Sequence, residues 1–268
     1  MLEDRWVIVR GTPVFVRAGG VDASGVPIVH VHGFAISGSY MVPTAELLAD
    51  EHPTFVPDLP GFGKSPRPPQ HNDIPGLADF LAGLLDELGI DKAVIVGNSL
   101  GCAILAAFAE RHGDRIHRAV MVSPAGGEQS KPLPRAIWQL TRDALREPPS
   151  MARVAVPDYV HFGVLETFRL FVAMTEFPAL AALTHFPAPL LAVLGVRDPL
   201  LPKASRVREV VSLLPEHVDV VVLRDAAHAI NYSHPHELSS IIRAYLADAS
   251  LEELALEAEH SPVAVLRR

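Results

Sequence analysis

The sequence predicts an α/β fold: a mostly parallel sheet flanked by helices, interrupted once by a helical insertion. Three observations carry this. Runs of β-branched residues alternate with helix-forming runs through most of the chain, the pattern of a parallel sheet buried on both faces. One such alternation passes from Ala93-Val94-Ile95-Val96 through Gly97-Asn98-Ser99-Leu100-Gly101 into Ala103 to Ala109, a Gly-x-Ser-x-Gly at a strand-to-helix turn. From Pro124 to Phe186 the strand pattern stops, and prolines punctuate helix-like stretches. The expected division is a core of residues 1–123 and 187–268, with residues 124–186 as a helical cap.

Taken in order, Trp6 to Val9 and Val14 to Arg17, joined around Gly11-Thr12-Pro13, predict an antiparallel hairpin at a sheet edge. A strand over Val26 to Phe34 ends in a His32-Gly33 turn, followed by a helix over Met41 to Asp50 and a short strand over Thr54 to Asp58. The next run, Asp58-Leu59-Pro60-Gly61-Phe62-Gly63-Lys64-Ser65, ends like a phosphate loop. That motif needs a glycine five residues before its Gly-Lys pair, where Asp58 stands, so a tight loop packed near a site is expected instead. Ile74 to Leu88 places Leu77, Phe80, Leu81, Leu84, Leu85 and Leu88 on one side of a helix, with Gly89 as its stop. A strand over Ile116 to Val122 closes the first half.

Within the insertion, Arg135 to Arg146 puts Ile137, Leu140 and Ala144 on one face, and Val164 to Phe177 has a broad apolar side with Leu165, Phe168, Phe171, Val172 and Met174. The sheet resumes with Pro189 to Gly195, a helix over Lys203 to Leu213 and a strand over Val218 to Leu223. Pro235 starts a last helix running to about Ala247. The tail, Leu251 to Arg268, leaves open capping of the fold, self-association as a homodimer and fraying.

Composition narrows the partners. With 49% hydrophobic and 20% charged residues among 268, the chain has the make-up of a soluble globular protein. A net charge of −8 and a pI near 5.9 argue against nucleic acid, which needs a basic surface. The N-terminus, Met1-Leu2-Glu3-Asp4-Arg5, lacks a basic segment leading into an apolar core, and the apolar stretch Ala93 to Ala109 is too short and too interrupted to span a bilayer. No secretory signal and no membrane partner are expected, and a cytoplasmic location is. The single cysteine, Cys102, excludes an internal disulfide and suits a reducing compartment; its thiol is expected to pack the turn beside Ser99.

Ser99 is a candidate nucleophile. At such a turn the serine is held in a strained conformation, and strand and helix pass so closely that glycine is needed at 97 and 101. A serine hydroxyl needs a base, an orienting acid and an oxyanion site. Asp198 follows the strand closing at Gly195, and His228 follows the strand closing at Leu223. The C-terminal ends of parallel strands form one rim, so these three residues, far apart in sequence, are expected to meet. Asp225 competes with Asp198 but is read as fixing the histidine loop. His30 and His32 are expected to hydrogen-bond within the turn after their strand. His228, His234 and His236 do not read as a metal site, because Pro235 at a helix start makes His234 a cap position.

The order Ser, Asp, His, together with His32-Gly33-Phe34, the Pro-Gly-x-Gly-x-Ser core of residues 60–65, and Gly97 to Gly101, resembles the α/β-hydrolase fold superfamily with a helical cap, over about Trp6 to Ala247. The resemblance implies an α/β-hydrolase fold in which Ser99 attacks, His228 acts as base and Asp198 orients it. The oxyanion would be met by the backbone N–H groups of Leu100 and, by likeness to the family's His-Gly-x turn, Phe34. No metal or cofactor is implied. Some capped relatives take their acid from after the strand ending here at Ser123, but no acid precedes Glu128. Ser99 also differs from the aspartate nucleophile of haloalkane dehalogenases and epoxide hydrolases. The implied reaction is cleavage of a carboxylic ester or thioester of a small apolar substrate through an acyl-enzyme, with Trp138, Phe168 and Phe171 expected in the pocket.

Carbon–carbon hydrolases of ring-cleavage dienones are a second resemblance, through Asn98 and the capped layout. The chain departs from them with Phe34-Ala35-Ile36 after the His-Gly pair and with Ala229 after the histidine. A triad-retaining small-molecule receptor and a non-hydrolytic lyase or acyltransferase share every residue named.

Overall fold

A computed structural model describes residues 1–34, 36–68, 73–127, 130–162, 164–252 and 263–267, without the side chains of 133, 159–162, 164–168, 179–180, 204, 263 and 267. The first half contains β1 (Glu3–Val9), β2 (Thr12–Gly19), β3 (Ile28–Val31), α1 (Val42–Leu48), β4 (Thr54–Pro57), α2 (Ile74–Glu87), β5 (Ala93–Asn98), α3 (Leu100–His112) and β6 (Ile116–Val122). Four helices follow: α4 (Leu133–Ala144), α5 (Met151–Phe162), α6 (Val164–Glu176) and α7 (Ala179–Thr184). The second half returns to the sheet with β7 (Leu190–Gly195), α8 (Ala204–Val211), β8 (Val218–Leu223), α9 (Ile230–Ser233), α10 (Pro235–Leu246) and β9 (Val263–Arg267).

The strands form one sheet in the order β1-β2-β4-β3-β5-β6-β7-β8-β9. Strands β4, β3, β5, β6, β7 and β8 are parallel, while β1, β2 and β9 run antiparallel to their neighbours. Strands β3, β5 and β7 are buried along their whole length, because helices cover both sides. Val29, Val31 and Ile95 face the side holding Leu81 and Leu84 of α2 and Leu105 and Phe108 of α3. Ile28, Val94 and Val96 face the side holding Leu48 of α1 and Ile241 and Ile242 of α10. Helix α2 begins where expected for a local reason. The Asp73 side chain accepts from the Gly76 amide at 2.8 Å, and Gly89, with φ +68°, ends the run.

Two features depart from the sequence reading. Helices α5 and α7 lie where no element was expected; Pro157 sits inside α5, and Pro148, Pro149 and Pro178 precede the two helices. Prolines that punctuated the pattern therefore start or are absorbed by helices. Parts of the tail pack on the fold: Leu251 is buried, and Val263–Arg267 extends the sheet beside β8.

Candidate active site

Ser99 occupies the turn between β5 and α3 with φ +55° and ψ −114°, a conformation that costs an L-residue energy and is held by the packing around it. A Cβ at Gly97 would lie 2.5 Å from the Gly101 carbonyl oxygen, and one at Gly101 would lie 2.1 Å from the Val31 carbonyl oxygen. Backbone cannot give way cheaply at those distances. Gly101→Ala is therefore expected to destabilise the protein by about 3 kcal/mol or more, read as a lowered urea midpoint at unchanged slope. Cys102 fills the space beneath. Its sulfur lies 3.2 Å from the Gly97 carbonyl, and burial pushes the thiol well above its ordinary range, so it packs and does not react.

At the rim beyond β7 and β8, His228 Nδ1 and Asp198 Oδ2 are 2.7 Å apart, and the other carboxylate oxygen accepts from the Leu200 amide at 2.8 Å. Asp198 is thereby fixed at both oxygens, while Asp225 stands exposed. Burial works to lower the His228 pKa, but the charge and hydrogen bond of Asp198, aided by Asp143 and Glu147, outweigh it and raise it to about 9. Ser99 and His228 line one cavity. The Ser99 hydroxyl is 4.0 Å from the Met174 sulfur on α6, and among the described residues it makes no hydrogen bond to the His228 ring. After β6 the chain has Ser123, and Glu128 lies outside the described residues.

The turn after β3 is tied to the same centre. An ideal Cβ at Gly33 would stand 3.2 Å from the Ser99 Cβ. The Gly33 amide donates to the Tyr40 hydroxyl at 2.8 Å, and that hydroxyl donates to Asn98 Oδ1 at 2.6 Å. Asn98 Nδ2 in turn donates to the Val122 carbonyl at 3.0 Å and to the His228 carbonyl at 3.3 Å. Asn98 thus links the turn after β3, the serine turn and the histidine loop. Tyr40 was not singled out from sequence, because a lone tyrosine before a helix carries no motif. His32 behaves as expected, with Nδ1 donating to the Gly33 carbonyl at 2.9 Å and Nε2 accepting from Leu59 at 2.9 Å; burial keeps it neutral. His30 does not: it is buried in β3, neither ring nitrogen has a partner among the described residues, and burial pushes its pKa down to about 3.

The loop from Asp58 to Ser65 packs against the segment after β3, with the Leu59 amide donating to His32. Asp58 binds the Arg17 guanidinium at 2.7 Å and the Gly38 and Lys64 amides, while the Ser65 hydroxyl returns to the Asp58 carbonyl. Beyond β8, His234 stands at the N-cap of α10 without a side-chain capping bond. Among the described residues no cluster of three metal-ligating side chains occurs.

Residues of α4, α5 and α6 share a cavity with this rim. It measures about 440 Å³ and is lined by Phe34, Ser99 and His228 together with residues such as Leu140, Met151 and Met174. Of the aromatic residues expected there, Phe171 packs on Phe34 with ring centroids 5.4 Å apart, behind the lining. Trp138 is 58% exposed, on the outer side of α4, where the Arg142 guanidinium one turn on lies over its ring. The side chain of Phe168 lies outside the described residues. The inward side of α4 instead carries Ala136, Gln139 and Asp143, followed by Glu147. Asp143 and Glu147 were missed, although their spacing with residues 136 and 140 follows one helix face.

Comparison with known proteins agrees with this architecture. The family model described as alpha/beta hydrolase fold matches residues 26–147. The 2-hydroxymuconate semialdehyde hydrolase of Pseudomonas sp. strain CF600 is 38% identical over 112 residues, covering 38% of each protein. The pimeloyl-[acyl-carrier protein] methyl ester esterase of Aeromonas hydrophila is 27% identical over 252 residues, 83% of this chain and 96% of that protein. For the first curated relatives the match covers 64%, 44% and 38% of their own length. A crystal structure of a membrane phospholipase A superposes with a TM-score of 0.77 at 22% identity, covering 92% of this chain and 86% of that one, a likeness of fold alone. A mostly parallel sheet, a serine at a glycine-flanked turn and these matches together show that the chain has the α/β-hydrolase fold, with the family match running over residues 26–147.

Proposed function

We propose that this protein is a serine hydrolase that cleaves a carboxylic ester of a small, largely apolar substrate, with residues 124–186 as the cap over its site. The observation that carries the reading is a buried His228–Asp198 pair whose histidine lines the same cavity as a serine held in a strained turn. Ser99 Oγ turns from Met174 towards His228, attacks the ester carbonyl and loses its proton to His228 Nε2. The carbonyl oxygen becomes an oxyanion facing the N–H groups of Phe34 and Leu100. The bond to the alcohol oxygen then breaks, His228 hands its proton to that oxygen, and the acyl group stays on Ser99. Water repeats the cycle: His228 takes its proton, hydroxide adds to the acyl carbon, and Ser99 leaves with the proton as the acid departs. Asp198 stays ionised throughout, holding Nδ1–H towards itself and so leaving Nε2 as the acceptor.

A sulfonyl fluoride tests this directly. Incubation with phenylmethylsulfonyl fluoride is expected to place one sulfonyl group on the peptide containing Ser99, with loss of fluoride, and to stop release of p-nitrophenol from p-nitrophenyl butyrate in proportion. Unlabelled Ser99 with full turnover overturns the reading.

A second reading, carbon–carbon cleavage of a dienone, is favoured by Asn98 beside Ser99 and by the likeness to 2-hydroxymuconate semialdehyde hydrolase. Against it stand the departures from those hydrolases at Phe34-Ala35-Ile36 after the His-Gly pair and at Ala229 after the histidine.

A further inference from the structure

Asp143 and Glu147 are not explained by the steps above. Both line the cavity that holds Ser99 and His228. Glu147 Oε1 accepts from the Ala229 amide at 2.7 Å, which pins this carboxyl group beside the histidine loop. Its other oxygen, Oε2, is buried without a partner among the described residues, and so is Oδ1 of Asp143, a residue only 6% exposed. Buried carboxyl oxygens left unpaired are costly and rare, so each calls for a donor. Among the described residues the wall does not complete them: the His228 amide faces both carboxyls but satisfies neither of these two oxygens, the Tyr40 hydroxyl donates to Asn98, the Thr141 hydroxyl to the Ile137 carbonyl, and no lysine or arginine lines the space. Helix stability does not account for the pair either, since an acid in the last turn of α4 opposes the helix dipole. Anchoring α4 to the histidine loop explains one oxygen, Oε1 of Glu147, and leaves the other two unaccounted for.

Position decides which part of a substrate would meet them. His228 delivers a proton to the departing alcohol, so the group beside the His228–Ala229 backbone is the leaving group. We infer that Asp143 Oδ1 and Glu147 Oε2 form a leaving-group subsite, and that the preferred substrates are esters whose alcohol part carries a hydrogen-bond donor, a hydroxyl or a protonated amine. This rests on the ester-hydrolase reading for its orientation. Burial, which pushes the Asp143 carboxyl up to about 7 and raises that of Glu147, agrees with a site built to be completed by a donor.

Matched esters test it. Wild-type kcat/KM is expected to be ten- to a hundredfold higher for 2-hydroxyethyl butyrate than for 2-methoxyethyl butyrate, the range of one hydrogen bond to a charged group. The dimethylaminoethyl ester, protonated at neutral pH, shows whether a cation is taken as well as a hydroxyl. In Asp143→Leu the hydroxyl-to-methoxy ratio is expected to fall to near one; Asp143→Val, which also removes the accepting oxygens, supplies a smaller variant should the leucine protein fail to fold. A wild-type ratio below tenfold, or a ratio that survives both substitutions, overturns the inference. A second readout needs no turnover. In Ser99→Ala, N-(2-hydroxyethyl)butanamide is expected to bind at least tenfold more tightly than N-(2-methoxyethyl)butanamide by calorimetric titration. That preference without any ester hydrolysis would retain the subsite and remove the hydrolase reading; hydrolysis with equal affinities would do the reverse.

Discussion

Replacing Ser99 by alanine is expected to lower the hydrolysis of p-nitrophenyl butyrate by about 10⁵- to 10⁶-fold while leaving the fold intact. The loss is that large because the other parts act through the serine. His228 has no oxygen to deprotonate except water's, and no acyl-enzyme forms to divide the reaction into two easier steps. What survives is the polarising effect of the oxyanion turn and the binding of the ester, together about 10³- to 10⁴-fold over water. Stability should hardly change. The hydroxyl's nearest partner is a sulfur at 4.0 Å, so its removal strands no buried donor, and alanine meets the same strain at φ +55°. Ser99→Gly provides the contrast: equally inactive, but about 1 kcal/mol more stable by thermal or urea unfolding, because glycine accepts that conformation freely. An alanine variant retaining more than a few per cent of wild-type turnover would remove Ser99 from the mechanism.

The elements that could be read from sequence are those in which local chemistry and tertiary role coincide. Strand β5, the turn at Ser99 and helix α3 follow from a β-branched run, two glycines and an alanine-rich run, and the structure shows the crowding that demands Gly97 and Gly101. Asp198 and His228 were legible because a parallel sheet forces its strand ends to one rim, and the structure pairs them at 2.7 Å. Helix α4 shows where this logic fails. A hydrophobic-face reading groups Ile137, Leu140 and Ala144; Leu140 and Ala144 do line the cavity, but Ile137 is exposed, as is Trp138, while Gln139 and Asp143 are buried. Polar residues on the inner face of an insertion carry no apolar period to find them by. Strand β9 failed for another reason: Val263 to Arg267 follows a glutamate-rich stretch, and only the open edge of β8 gives it a partner.

Asp198→Asn is expected to lower kcat by about 10⁴-fold at neutral pH and to move the pH profile. Asparagine presents an amide donor or an acceptor where a carboxylate now takes the Nδ1 proton, so the imidazole loses both its orientation and the charge that stabilises its cationic form. In the wild-type protein His228 titrates at about 9 and must be neutral to accept the serine proton, so kcat/KM should climb as pH rises towards 9. With Asp198 gone, burial becomes the dominant influence, His228 falls towards or below its ordinary 6.5, and the rising limb moves to lower pH even as the plateau collapses. The same group enters stability with a defined sign. A histidine whose pKa is raised on folding stabilises the folded state fully below 6.5, and that contribution disappears as pH rises through about 9. The stability gap between wild type and Asp198→Asn should therefore be widest near pH 6, about 3 kcal/mol, and narrow by pH 10, as measured by urea unfolding at both values. A gap that stays constant or widens with pH would show that the carboxylate holds a neutral imidazole, and that Asp198 positions the ring without stabilising its charge.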